Sequence, residues 1–155
     1  MAAVVADTSP LIALHQLGRL SLLQRIFGEI YIPPAVAREL SPGVPDLPSW
    51  IVVRGLAQPI ASEILRASLG AGESEAMSLA LEVKAELLIV DDRPARRLAL
   101  NLGISVAGTA GILLRAKQLG FVPEVRPLLD EIIRRGFRLS PAIREKALDD
   151  AGEAS

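Results

Sequence analysis

Cysteine is absent from the 155 residues, and histidine occurs once, as His15. Disulfides, thiol chemistry and any zinc site built from several Cys or His ligands are thereby excluded, so a metal held by this chain must be held by oxygen. Aromatic side chains are scarce: Phe27, Tyr31, Trp50, Phe121 and Phe137 are all there are, too few for a platform on which successive bases of a single strand would stack. Neither sign of charge is in excess. With 17 basic and 18 acidic residues and a net charge of −1, no general basic field exists, and contact with a polyanion would need a local arginine patch. Only Lys84, Lys117 and Lys146 are lysines; the remaining basic residues are arginines, which suit bidentate phosphate contacts and equally the coding bias of a GC-rich genome. Long apolar runs are missing too. The opening MAAVVAD has no basic segment and its apolar stretch ends at Ala6, which matches neither a signal peptide nor a membrane span. A soluble, cytoplasmic protein without a membrane partner is expected.

Half of the residues are hydrophobic, enough in a chain of this length for one sizeable core and one domain. Short Val/Ile-rich runs alternate with helical patterns. Strands are predicted over Ala2 to Ala6, Glu29 to Ile32, WIVVRGL, LLIV (87–90) and ISVAG (104–108). Helices are predicted over Pro10 to His15, Arg19 to Phe27, PPAVAREL, ASEILRASLG, GESEAMSLALEVKAE, RPARRLALNLG, Thr109 to Leu119, Pro123 to Arg135 and Pro141 to about Ala151. Ser9 would cap the first of these helices with Pro10 opening it, and Ser140 the last. The proline-rich SPGVPDLPSW reads as a loop. Such alternation predicts an α/β fold, a mostly parallel sheet of about five strands with helices on both faces, and ligands collecting at the carboxyl ends of its strands.

Two strands end in acid: Asp7 after VVA, and Asp91 with Asp92 after LLIV. An aspartate there most often caps the next helix. Ser9 and Pro10 already supply that service to the first helix, which leaves Asp7 without it. Asp92, directly before Arg93 and Pro94, is better placed to cap than Asp91, so Asp91 is left over. On a helix starting near Glu73, that residue shares a stripe with Ala76, Met77 and Ala80, whereas Glu75 lines up with Ser78, Leu79, Glu82 and Glu86. Glu75 is therefore expected to face water and Glu73 to sit at the core's rim, where an unpaired carboxylate is costly. Spacing alone leaves Glu39 open between a surface glutamate and one aimed at the sheet. If Asp7, Glu39, Glu73 and Asp91 converge, four negative charges share a small volume and call for a cation. Hard oxygen ligands select Mg²⁺ or Mn²⁺, and such a cluster suits metal-assisted phosphodiester hydrolysis.

The ordered set ADTSPLIAL, IPPAVAREL, GESEAMSLALE, AELLIVDDRPARRLA and GISVAGTAGILLRAK, spanning about residues 2 to 120, resembles the PIN-domain superfamily. More narrowly it is similar to the small VapC-like branch carrying a GT-x-G-I-L segment. The resemblance implies a three-layer sandwich, an acidic Mg²⁺ or Mn²⁺ site, endoribonuclease activity on single-stranded or structured RNA, and often a toxin's role beside a small antitoxin protein. It also implies a homodimer. Asp7 matches the family's first-strand acid, with Thr8 or Ser9 as the hydroxyl beside it; Glu39 matches the acid of the helix after the second strand; Glu73 falls where most members have aspartate; and Asp91, or alternatively Asp92, matches the acid after the fourth strand. On this reading the chain is one PIN-like domain with a core over 2–120 and a C-terminal helical extension over 121–155. The stripes Val125, Leu128, Leu129, Ile132, Ile133 and Ile143, Ala147 in that extension are expected to pack on the sheet or on a second subunit.

Other readings are weaker. GAGESE lacks the third glycine and the Gly-Lys-Ser/Thr of a phosphate loop, and the lysines lie in helices, against a phosphoacceptor receiver domain. His15, near a helix end, reads as a dipole partner. Arg93, Arg96 and Arg97 follow the acidic end of the fourth strand and are candidates for phosphate contact, with a solvated helix face as the plainer account. A catalytically inactive nucleic-acid-binding or protein-interaction module is the alternative to the nuclease, and a small-molecule phosphohydrolase using the same acids is a third.

Overall fold

A computed structural model describes residues 3–154 of the chain. Among them the chain runs β1 (Val4–Ala6), α1 (Thr8–Gln16), α2 (Ser21–Phe27), β2 (Ile30–Ile32), α3 (Pro34–Leu40), β3 (Ile51–Val53), α4 (Pro59–Leu65), α5 (Ala71–Glu82), β4 (Leu87–Ile89), α6 (Arg93–Asn101), β5 (Val106–Ala107), α7 (Thr109–Gln118), α8 (Arg126–Arg134) and α9 (Pro141–Asp150). The sheet is parallel throughout, in the order β3-β2-β1-β4-β5. This is the predicted α/β architecture. Every strand is two or three residues long, and the central ones consist of side chains buried on both faces, such as Val4, Val5, Ala6, Leu88 and Ile89, as a parallel sheet covered by helices requires. At the edge, Val53 of β3 is 47% exposed.

The strand order places the reversal of winding at β1. The chain steps outward through β2 and β3, then returns to the other side of β1 with β4. Crevices at the carboxyl ends of strands open at such a point. Ala6 pairs with Ile89 and the Asp7 N–H donates to the Ile89 carbonyl at 2.9 Å, so the residues following β1 and β4 leave the sheet side by side.

Several boundaries differ from expectation, each for a local reason. The first strand is seen from Val4, and Ala2 lies outside the described residues. Helix α1 begins at Thr8, with Ser9 and Pro10 inside its first turn, so Ser9 is not the cap; a proline is tolerated there because first-turn N–H groups have no intrahelical partner. Asp7 holds the N-cap position in an extended conformation, yet its side chain makes no capping bond. Asp92 does cap α6, accepting from the Ala95 N–H at 3.0 Å, and Ser140 caps α9 through the Ile143 N–H at 3.1 Å.

The largest correction concerns α5. Gly72, Ser74, Ala76, Met77, Ser78, Leu79 and Ala80 are all buried, because α3 and α4 pack against it as well as the sheet. It is a core helix rather than a half-wet one. Glu75 accordingly does not face water: its carboxylate accepts from the Ala35 N–H at 2.9 Å and caps α3, whose own opening Pro33-Pro34 offers no side-chain acceptor. In the C-terminal helices Leu129, Ile132, Ala147 and Leu148 enter the core, whereas Ile133 and Ile143 remain exposed.

Candidate active site

Asp7 sits at the carboxyl end of β1, 4% exposed, and its Oδ1 is buried with no hydrogen-bond partner among the described residues. Burial pushes the carboxyl up to about 7; the Thr8 N–H pulls the other way, while Glu73, Glu39 and Asp91 add like charge. The four acids singled out in the sequence are thus electrostatic neighbours at one end of the sheet, just after β1, on α3, on α5 and in the turn after β4. No arginine or lysine acts on Asp7 among these influences.

Each of the other three is placed by a specific local device. Glu39, in the last turn of α3, accepts from Thr8 Oγ1 at 3.1 Å, which ties α3 to the start of α1. Its carboxylate also lies where a side chain on Gly72 would stand. Glu73 occupies the first turn of α5, where a carboxylate complements the positive end of the helix dipole; a Cβ on Gly70 would lie 2.7 Å from its Oε2. The two glycines of GAGESE therefore clear space for two carboxylates. Asp91 is gripped twice by Thr109, from its N–H at 2.7 Å and its hydroxyl at 2.7 Å. Burial raises the Asp91 pKa, and Thr109 and Arg96 partly offset that rise. A Cβ on Gly108 would lie 2.7 Å from Asp91 Oδ1 and 2.8 Å from Arg96 Nη1. In the GT segment, then, glycine makes room and threonine supplies the donors.

Sequence reasoning missed Gly70, Gly72, Gly108 and Thr109. Their function is visible only once distant carboxylates are known to pack on them, although a glycine directly beside a helix start was a signal for close approach. Asp92 turns away to its cap and is exposed. Thr8 takes part through Glu39, while Ser9 is exposed on α1. Of the arginines, Arg96 reaches the site beside Asp91, whereas Arg93 and Arg97 are exposed on α6.

The DUF3368 family model, a PIN domain, matches residues 3–153. This chain belongs to the PIN-domain family. The match takes in α8 and α9, beyond the segments whose motifs carry the resemblance. Among curated proteins none matches the chain. PIN domains are generally nucleases that use divalent metals, and an all-oxygen set of four carboxylates with the Thr8 hydroxyl bonded to one of them is of the right chemistry for a hard cation. As the side chains are oriented, no three acidic or histidine groups among the described residues stand at coordination spacing. Glu39 is turned to Thr8, and Asp91 to Thr109. No helix among the described residues is long and apolar enough to cross a membrane.

Proposed function

We propose that this PIN domain is a Mg²⁺- or Mn²⁺-dependent endoribonuclease, with Asp7, Glu39, Glu73 and Asp91 as the groups that hold the cation and Arg96 beside them on the phosphate side. One observation carries this reading: a buried aspartate oxygen without a partner among the described residues, under the like charge of three further carboxylates and with no base acting on it. A bound divalent ion supplies charge neutralisation and Lewis-acid polarisation at the phosphate. The protein's own part is to hold four acids at the winding reversal of the sheet. Glu73 sits at the positive end of α5, and Thr109 fixes the orientation of Asp91. Residues at the rim then position the RNA backbone. Asp7, whose carboxyl is pushed up to about 7, would be the ligand whose charge a bound cation offsets.

Incubation of single-stranded RNA with the protein and Mn²⁺ tests the reading. Cleavage is expected from the wild type and lost in Asp7→Asn; equal cleavage by both would refute the assignment. A second reading, an inactive RNA-binding module, draws on the engagement of Glu39 and Asp91 by Thr8 and Thr109. It predicts RNA retention with no metal-dependent cut. The roles of a toxin, a small antitoxin partner and a cytoplasmic homodimer follow from the VapC-like motifs alone. Co-expression with the product of an adjacent short reading frame tests the first two, and sedimentation the third.

A further inference from the structure

Two residues beyond Asp7, α1 turns Ser9, Ile12, Ala13 and Gln16 to one side. They are spaced at i, i+3, i+4 and i+7, so they form a single helix face. Opposite them lie Arg135, Gly136 and Phe137, and the space between is a cavity of about 200 Å³. Its far wall is shaped by the end of α8. Gly136 has φ +98°, a left-handed conformation that costs glycine nothing and an L side chain a good deal. Its N–H donates to the Ile133 carbonyl at 3.0 Å and that of Phe137 to the Ile132 carbonyl at 2.9 Å, the pair of bonds that closes a helix and turns the chain back. The turn lays Phe137 against α1. Arg135 is held through its Nε by Glu131 at 2.8 Å. Glu131 also pairs with Arg134, so two guanidiniums share one carboxylate and the cluster keeps a net positive charge.

We infer that this α1–α8 cavity receives one unpaired nucleotide of the RNA that enters the acidic site, with its base on Phe137, its polar edge on Gln16 and its phosphate at Arg135. The inference rests on the ribonuclease reading and extends it to substrate class. The chemistry is what a nucleotide asks for: an apolar wall of Ile12, Ala13 and the Phe137 ring, a primary amide that both donates and accepts, a hydroxyl at Ser9, and a cation. The position is right as well. Ser9 adjoins the Thr8 that is bonded to Glu39, and Gln16 lies about 10 Å farther along the helix axis. A strand that reaches the carboxylates would lay a neighbouring nucleotide on this face if it follows α1. A base inside a duplex is stacked and paired and cannot enter, so the cavity selects for single strands.

The test is equilibrium binding of a fluorescein-labelled single-stranded oligoribonucleotide to the full chain in EDTA, which suppresses cleavage, with a duplex of the same sequence alongside. Phe137→Leu, which keeps an apolar side chain in the core, and Gln16→Ala, at an exposed position, are each expected to weaken single-strand binding about 10-fold. Duplex binding should not change. Arg135→Gln should lower the slope of log affinity against log salt by about 1. Should Phe137→Leu fail to fold, Gln16→Ala carries the test. Variants that bind the single strand as tightly as wild type, or a wild type that binds no single strand, overturn the proposal. Binding that the variants weaken, in a protein that never cleaves with Mn²⁺, would remove the nuclease reading and leave the pocket. Cleavage by wild type and variants with the same KM would do the reverse.

Discussion

Two buried-rim carboxylates in this protein meet opposite fates. Glu153, near the C-terminus, accepts from the N–H groups of Val125 and Arg126 at 2.7 and 2.9 Å and from Lys117 Nζ at 2.9 Å. Burial alone would raise its pKa, but those donors outweigh it and hold the group down at about 2. Asp7 is more deeply buried, has an oxygen with no donor among the described residues, and is pushed up to about 7 by burial and by three other acids. The chain plainly can satisfy a carboxylate when the task is structural: Glu153 clamps the start of α8 to the end of α7, and Glu75 caps α3. At the end of β1 it withholds the donors. A group left this way destabilises the fold unless something from outside completes it, and strongly perturbed groups of this kind cluster at functional sites.

The comparison can be broken most decisively at its two poles. Asp7→Asn should abolish metal-dependent RNA cleavage while raising the metal-free protein's stability at pH 8 by at most about 4 kcal/mol, from a pKa of about 7 against 3.8 unfolded. Cleavage assays and thermal melts in EDTA read both effects. Gly72→Ala places a methyl group where the Glu39 carboxylate lies. Because that side chain is flexible and exposed, melting should hardly move, whereas cleavage should fall up to about 100-fold through misplacement of one ligand. Glu153→Gln should do the opposite, leaving cleavage intact and costing about 2 kcal/mol as charged hydrogen bonds are lost. Glu75→Ala, which uncaps α3, should cost about 1 kcal/mol in chemical denaturation.

The pH dependence sharpens the same contrast, since the two groups act with opposite sign. An acid whose folded-state pKa is raised binds its proton more tightly when folded, so Asp7 contributes full stability only below pH 3.8, and that contribution is lost as pH climbs through about 7. Glu153 is depressed, so its contribution is present above 4.5 and disappears as pH falls toward about 2. Melts in EDTA should therefore decline from pH 4 to pH 8 in the wild type and stay flatter in Asp7→Asn. The destabilisation caused by Glu153→Gln should be full above pH 4.5 and shrink as pH falls toward about 2.

How much of this could be read in the chain divides along the same physical lines. The parallel α/β sheet, the strand-end acids and the split between a capping Asp92 and a remaining Asp91 follow from short-range rules: apolar runs, punctuation by glycine and proline, and the geometry of an N-cap. Glu75 was misjudged because its partner, the Ala35 N–H, lies 40 residues away, and helical periodicity says nothing about a third element packing on the polar side. Ser9 was misjudged because two hydroxyls and an aspartate compete at the start of α1, and the turn out of β1 begins the helix one residue after Asp7. The glycines of GAGESE and GT were passed over because their work is to lack a side chain beside carboxylates that only the fold brings near.

The central claim is that Asp7 is left incomplete in order to be completed by a divalent cation. Calorimetric titration of Mn²⁺ into the wild type and into Asp7→Asn at pH 8 tests it most directly. Saturable binding by the wild type, with a melting temperature that rises on saturation, and loss of both in Asp7→Asn is the predicted result. No binding to the wild type, or equal binding to the two proteins, would contradict it.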